Sequence, residues 1–148
     1  MTTLHNILQQ HTQTKFATDT GTQMHRRLQR IFIGDTDGNT CDADIITRIS
    51  ANPDLRRLFD TQSQTEVPIA GTTENRFISR RLDRLRTDHT TKTIEILDYK
   101  TDINPDTFRT KYIAQLHEYA TLLRRIYPQY KIICYILWTH DFSLEKIN

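Results

Sequence analysis

The sequence predicts a mixed α/β domain, a β-sheet flanked by α-helices. Three observations point there: apolar residues at helical spacing before residue 60, short β-branched segments between 67 and 99, and a long helical stripe followed by an unbroken apolar block at 131–138. With 148 residues the chain has room for one core but not for two full-sized ones. One domain is therefore expected over 21–148, behind a loosely ordered lead-in over 1–20 where only Leu4, Ile7 and Leu8 suit a short helix.

From Gly21, the spacing of Met24, Leu28, Ile31 and Phe32 is helical, and the turn cluster Gly34-Asp35-Thr36-Asp37-Gly38-Asn39 stops it. Asp42 or Asp44 can cap a second helix carrying Ile45, Ile46 and Ile49, and Asn52-Pro53 starts a short third with Leu55, Leu58 and Phe59. Val67 and Ile69, then Phe77 to Leu85, then Thr93 to Tyr99 read as three successive strands. From Thr107 to Tyr127, Ile113, Leu116, Ala120, Leu123 and Tyr127 mark the longest helix, opened by Asn104-Pro105-Asp106 and closed before Pro128. Lys131 to Trp138 suits a strand covered on both faces, and Ser143 to Ile147 a last edge strand.

Composition narrows the function classes. The formal net charge of +2 does not by itself select a nucleic-acid partner, although arginines cluster at 26, 27 and 30, at 80, 81, 84 and 86, and at 124 and 125. Cys41 and Cys134 are too few for a disulfide framework, a zinc site or an iron–sulfur cluster, and a reducing cytoplasm is expected. The first residues lack a signal-peptide core, and no window approaches the roughly 20 apolar residues of a membrane span. The four glycines, at 21, 34, 38 and 71, form neither G-x-x-x-x-G-K-[ST] nor G-x-G-x-x-G, so no nucleotide-cradling loop is expected.

Chemistry gathers around Asp98 and Lys100. Two apart on a strand, they leave the same face, a carboxylate beside an ammonium; alone, such a pair is an ordinary strand-end ion pair. A hairpin changes the weighting. A turn centred near Thr90-Thr91 places Asp83 opposite Asp98, whereas a one-residue slip would turn Asp83 to the other face. Opposed carboxylates hold either a shared proton or a cation. Phosphodiester hydrolysis needs a divalent ion and a cationic side chain near the reacting water, and Asp83, Asp98 and Lys100 supply that set, with hard oxygen ligands favouring Mg²⁺ or Mn²⁺ over zinc. His25, one turn after Gly21, is by itself a weak signal. Gln115 and Tyr119 form a polar i, i+4 shoulder on the long helix, with Tyr112 one turn earlier.

These residues also form a recognisable series of blocks: Gly21-Thr22-Gln23-Met24-His25, Asn52-Pro53 through Leu58-Phe59, Thr65 to Gly71, Leu82-Asp83-Arg84-Leu85, Ile96 to Thr101, Tyr112-x-x-Gln115 with Tyr119, and Ile136 to Thr139. In this order they resemble the C-terminal nuclease domains of AddA-type helicase–nuclease subunits. Those domains belong to the RecB-like branch of the PD-(D/E)XK, restriction-endonuclease-like superfamily. The resemblance runs from about 21 to 147 and implies a metal-dependent deoxyribonuclease, exonucleolytic in action, serving double-strand-break processing and recombinational repair. It implies that His25, Asp83, Asp98 and the Tyr99 carbonyl hold Mg²⁺ or Mn²⁺ and that Lys100 is the catalytic lysine. Gln115, Tyr119 and Glu66 take secondary places, and Arg80, Arg81 and Arg84 are the expected nucleic-acid contacts. The implied partners are DNA, the helicase portion of such a subunit and an AddB-like subunit, at the nucleoid. Two departures stand out. The glycine usual three residues before the metal aspartate is here Arg80, and the helicase motors and four-cysteine set of the larger complex have no counterpart. The rival expectation is a catalytically inactive nuclease-fold module that binds nucleic acid or a partner subunit.

Overall fold

The computed structural model describes residues 21–35, 42–102 and 105–147. The expected lead-in over 1–20 and Cys41 lie outside the described residues. A helix over 21–29 (α1) is followed by α2 (Ala43–Ser50) and α3 (Pro53–Leu58), then β1 (Ser63–Thr73), β2 (Arg76–Asp88) and β3 (Thr93–Lys100). After a 3₁₀ turn at Pro105–Thr107 come α4 (Arg109–Ile126), β4 (Lys131–Trp138) and β5 (Ser143–Ile147).

The five strands form one sheet in the order β1-β2-β3-β4-β5, antiparallel except for the parallel pair β3–β4. That exception follows from α4, which returns the chain across the sheet between the two strands. Period-two alternation then divides the core. Ile94 and Ile96 of β3, Cys134, Ile136 and Trp138 of β4, and Leu116, Tyr119, Ala120 and Leu123 of α4 are buried on one face. On the other, Leu97, Tyr99, Tyr135 and Leu137 pack beneath Leu28 of α1, Ile45 and Ile49 of α2, and Leu55 and Leu58 of α3. β4 is buried on both faces and β5 lies at the sheet edge, as expected.

Local chemistry explains the boundaries. Asn52 caps α3 by accepting from the amides of Asp54 at 3.0 Å and Leu55 at 3.4 Å, with Pro53 in the first turn. Asp42 precedes α2 but makes no side-chain cap. Its buried carboxylate instead accepts from Arg27 Nε at 3.0 Å and Arg30 Nε at 2.9 Å, and these guanidiniums hold it below the usual carboxylate range. α1 stops short of the expected Phe32, because Ile33 bridges to Asp60 in parallel and its amide donates to the Phe59 carbonyl at 2.7 Å. No helix among the described residues is long and apolar enough to cross a membrane.

β1 and β2 form a hairpin longer than the periodicity suggested, paired from Ser63↔Arg86 to Thr73↔Arg76. Its two turn residues, Glu74 and Asn75, have φ of 50° and 62°, the left-handed pair that matches strand twist in a tight hairpin. β2 pairs with β3 only from Arg84↔Leu97 to Asp88↔Thr93. Beyond Arg84, therefore, β1 and β2 continue as a two-stranded arm parted from β3. Gly71 rests this arm on α4: a Cβ there would meet Leu122 Cδ2 at 2.6 Å, so a side chain would push the two apart.

Candidate active site

The fork where β2 leaves β3 is the site. Extending the Arg84↔Leu97 register by one step sets Asp83 against Asp98, the opposition expected from the Thr90-Thr91 turn. With β2 gone from its edge, the Tyr99 amide has lost a strand partner, and Asp83 Oδ2 accepts it at 2.8 Å. The strand β1 is irregular at the same level. Its ladder with β2 skips the Glu66–Asp83 step, and Glu66 has φ of 53°, a left-handed conformation uncommon outside glycine. Glu66, Asp83 and Asp98 thus stand in one row across three strands.

His25 comes to this row from α1. The Gly21 carbonyl can only accept, so Nδ1 carries a proton and donates to it at 2.8 Å, aiming Nε2 at Asp83 Oδ2, 3.4 Å away. A nitrogen facing a carboxylate this closely needs a proton or a cation between them. Burial opposes charge on the ring, but the Asp83 carboxylate and the Gly21 carbonyl outweigh it and raise its pKa. The same ring packs edge-on against Tyr99, with centroids 5.4 Å apart.

The two carboxyls divide the available charge. Burial, and then the Asp83 charge, push Asp98 up to about 7 against the pull of Lys100. Burial also works against Asp83, but hydrogen bonding with His25 and Asp98 and the Tyr99 amide together hold it below the ordinary range. Asp83 is thus the more readily ionised of the two. Asp98 Oδ2 is buried with no hydrogen bond among the described residues, although Lys100 Nζ lies 3.0 Å away without hydrogen-bond directionality. Lys100 Nζ also sits 4.2 Å from the centre of the Tyr112 ring, whose hydroxyl donates to Asp102 Oδ2 at 2.6 Å.

The donor set suits a hard divalent cation. Two carboxylates, one with a buried oxygen lacking a hydrogen bond, stand beside an imidazole nitrogen aimed inward. Among the described residues no three His, Cys, Asp or Glu side chains form a ready-made cage. Asp83, Asp98 and His25 are the side chains that could hold the ion.

Asp83, Asp98, Lys100 and His25 therefore come together, and Tyr99 adjoins them. Tyr99 meets the site through its amide, while its ring is buried on the opposite face. Tyr119 is buried beside the site, its hydroxyl pushed up to about 12 by burial and by the Asp98 charge and hydrogen-bonded with Gln115. Arg80 and Arg81 are exposed on the arm, and the Arg80 guanidinium donates to the Ser79 carbonyl at 2.9 Å.

Arg84 corrects an expectation, because it cannot contact nucleic acid. It is 1% exposed, and its guanidinium donates to Tyr99 Oη, Ser63 Oγ and the carbonyls of Leu28 and Ile31, all within 2.9 Å. The ring of Phe59 lies 4.1 Å from its Cζ and that of Phe32 4.9 Å. Two residues escaped notice as site groups, Tyr112 as the ring under Lys100 and Asp102 as its anchor. Their signal was an aromatic one turn before Gln115 and an acid two residues after Lys100.

No family model and no curated protein matches the chain. Fold and site together define a mixed α/β domain with a buried carboxylate pair and a lysine at a strand fork.

Proposed function

We propose that this protein is a divalent-metal-dependent DNA nuclease of the AddA-type, PD-(D/E)XK kind, hydrolysing phosphodiesters in double-strand-break processing. The observation that supports it best is the buried, unbonded Oδ2 of Asp98, set between ionised Asp83 and the Lys100 ammonium.

In this reading Asp83, Asp98 and His25, with the Tyr99 carbonyl, hold Mg²⁺ or Mn²⁺. When bound, the ion neutralises phosphate charge and lowers the pKa of a water to near neutrality. Lys100, held over Tyr112, orients the water and stabilises negative charge on the phosphorus oxygens. Gln115 and Tyr119 steady the α4 side of the site. DNA is the substrate, and in a larger assembly a helicase portion and an AddB-like subunit deliver it.

The test is cleavage of labelled single-stranded and duplex DNA by the purified chain in Mg²⁺ and Mn²⁺, beside Asp98→Ala and Lys100→Ala. Cleavage lost in both variants is the expected result. A folded protein inactive throughout, whose DNA binding survives Asp98→Ala, would instead favour an inactive nucleic-acid-binding or assembly module. Arg80, a bulky cation where the resembling domains carry glycine, is the feature that favours this second reading. Arg80→Gly then decides whether that side chain disables the site.

A further inference from the structure

Lys100 ends β3 and Trp138 ends β4, and the parallel register sets them side by side, with both side chains on the α4 face. The lysine backbone is pinned, since its carbonyl accepts the Thr139 amide at 2.8 Å and the Thr139 hydroxyl at 3.3 Å. Its flexible four-carbon stem needs a further contact to keep the ammonium in one place, and the Tyr112 ring, 4.2 Å from Nζ, supplies it. That ring is placed in turn by contacts that end on β5. Its centroid lies 6.2 Å from that of Trp138, the planes tilted by 47°. Trp138 is buried, and its indole N–H donates to Glu145 Oε2 at 3.0 Å. Glu145 Oε1 accepts from Arg109 Nε at 2.6 Å, with Arg109 Nη2 paired to the same oxygen. Arg109 opens α4 three residues before Tyr112, so the two share a face of that helix. One carboxylate therefore ties the end of β4 to the start of α4, the two elements that place the Tyr112 ring. Burial opposes charge on Glu145, but the bonds from Arg109 and Trp138 outweigh it and hold the carboxyl below its usual range.

We propose that Glu145 is a positioning residue for Lys100, acting through Trp138 and Tyr112; the proposal rests on the nuclease reading of the fork. Glu145 reaches the ammonium through two rings rather than by contact. Without this carboxylate the indole N–H loses its acceptor and the start of α4 loses its tie to β5, so both neighbours of the Tyr112 ring are released together. A ring that slides by about an ångström takes the ammonium with it, and a displacement of that size at a reacting centre costs on the order of a hundredfold in rate. The effect belongs to the lysine and should vanish once the lysine is gone. A side chain that only held the fold would cost the same with or without Lys100.

The first measurement needs no cleavage. Nuclear magnetic resonance of the full chain carrying isotopically labelled lysine, in EDTA, follows the ε-methylene signal of Lys100, assigned by its loss in Lys100→Arg. A methylene held over an aromatic face is shifted upfield by the ring current, and Tyr112→Leu sets the unshifted position. Glu145→Ala is expected to move the signal most of the way to that position. Glu145→Gln, which keeps an acceptor for the indole, is expected to move it part of the way and serves if the alanine variant fails to fold, which circular dichroism checks. The second measurement is single-turnover cleavage in Mn²⁺ as a double-mutant cycle. Glu145→Ala is expected to lower the rate at saturating DNA roughly tenfold or more with the half-saturating DNA concentration unchanged, and to cost no more than about twofold when Lys100 is already alanine. A Lys100 signal unmoved in both Glu145 variants overturns the proposal. So does an equal loss of rate with and without Lys100, which would make Glu145 a support of the fold. Cleavage that requires Asp98 but ignores Glu145→Ala would sink the positioning role and leave the nuclease standing. A signal that moves as expected in a chain that cuts no DNA would do the reverse.

Discussion

The Asp83 carboxylate accepts the Tyr99 amide at 2.8 Å and so takes the place of a strand partner where β2 parts from β3. A carboxylate bonded to a backbone amide at a freed strand edge is fixed in direction and favoured in its ionised form. Asp98, its cross-strand neighbour, then bears the cost of the second charge.

That cost sets a pH dependence. The folded-state pKa of Asp98 is raised, so between about 4 and 7 the folded chain keeps a proton that the unfolded chain has released. Without metal, stability should rise as pH falls from 8 through this window. The raised pKa of His25 acts in the same direction, its stabilisation being lost as pH climbs through the folded value. Asp98→Asn should stabilise the metal-free protein at pH 8 by roughly 1–3 kcal/mol while abolishing cleavage. Urea unfolding in EDTA at pH 6 and 8 measures this; a parent more stable at pH 8 would contradict it.

Divalent ions should reverse the effect. Mg²⁺ or Mn²⁺ should raise the unfolding temperature of the parent but not of Asp83→Asn or Asp98→Asn. Ca²⁺ should support DNA binding without cleavage, because a larger, flexibly coordinated ion neutralises phosphate but activates water poorly. Equal cleavage in Ca²⁺ and Mg²⁺ would count against the site.

Lys100→Ala should lower the cleavage rate by about a hundredfold or more with metal affinity nearly unchanged, since in the proposed reaction the ammonium acts on charge developing in the transition state. Single-turnover rates set beside calorimetric Mn²⁺ titration separate the two. A parallel fall in both would make the lysine a structural partner of Asp98.

The ring beneath that lysine is separable from its hydroxyl. Tyr112→Phe keeps the face on which Lys100 Nζ rests and loses only the Asp102 bond, whereas Tyr112→Leu loses both. Cleavage should fall several-fold more in the leucine variant. Equal losses would assign the effect to the Asp102 bond.

Arg84→Met should destabilise the fold by about 3–5 kcal/mol, because it strands the Leu28 and Ile31 carbonyls and the Tyr99 hydroxyl without their donor. Urea unfolding is the measurement. A variant as stable as the parent would show that water or side-chain movement satisfies those groups.

Where the fold follows from local rules, the residues announced it. Asn52-Pro53 opened a helix, the Thr87–Lys92 loop fixed the β2–β3 register, and two-residue spacing put Asp98 and Lys100 on one face. Arg84 was misread because an arginine on a strand ordinarily faces water, and no local signal tells that carbonyls and two aromatic rings from distant segments enclose it. Asp42 misled for a related reason: its position said cap, but Arg27 and Arg30 claimed its oxygens. Tyr112 was visible only as a helix shoulder, since its meeting with Lys100 depends on how α4 crosses the sheet. The parting of β2 from β3 left no mark in the apolar pattern, for the arm keeps its alternation after losing its neighbour.

The buried guanidinium of Arg84 ties the carbonyls of Leu28, in the last turn of α1, and of Ile31, just past it, to Tyr99 and Ser63, and α1 is the element that brings His25 to the fork. The set of residues that keeps the fork in shape is thus wider than the fork itself. Random mutagenesis scored for lost function should return changes at Phe32, Phe59 and Ser63, none of which touches the reacting groups, alongside changes at the aspartates themselves.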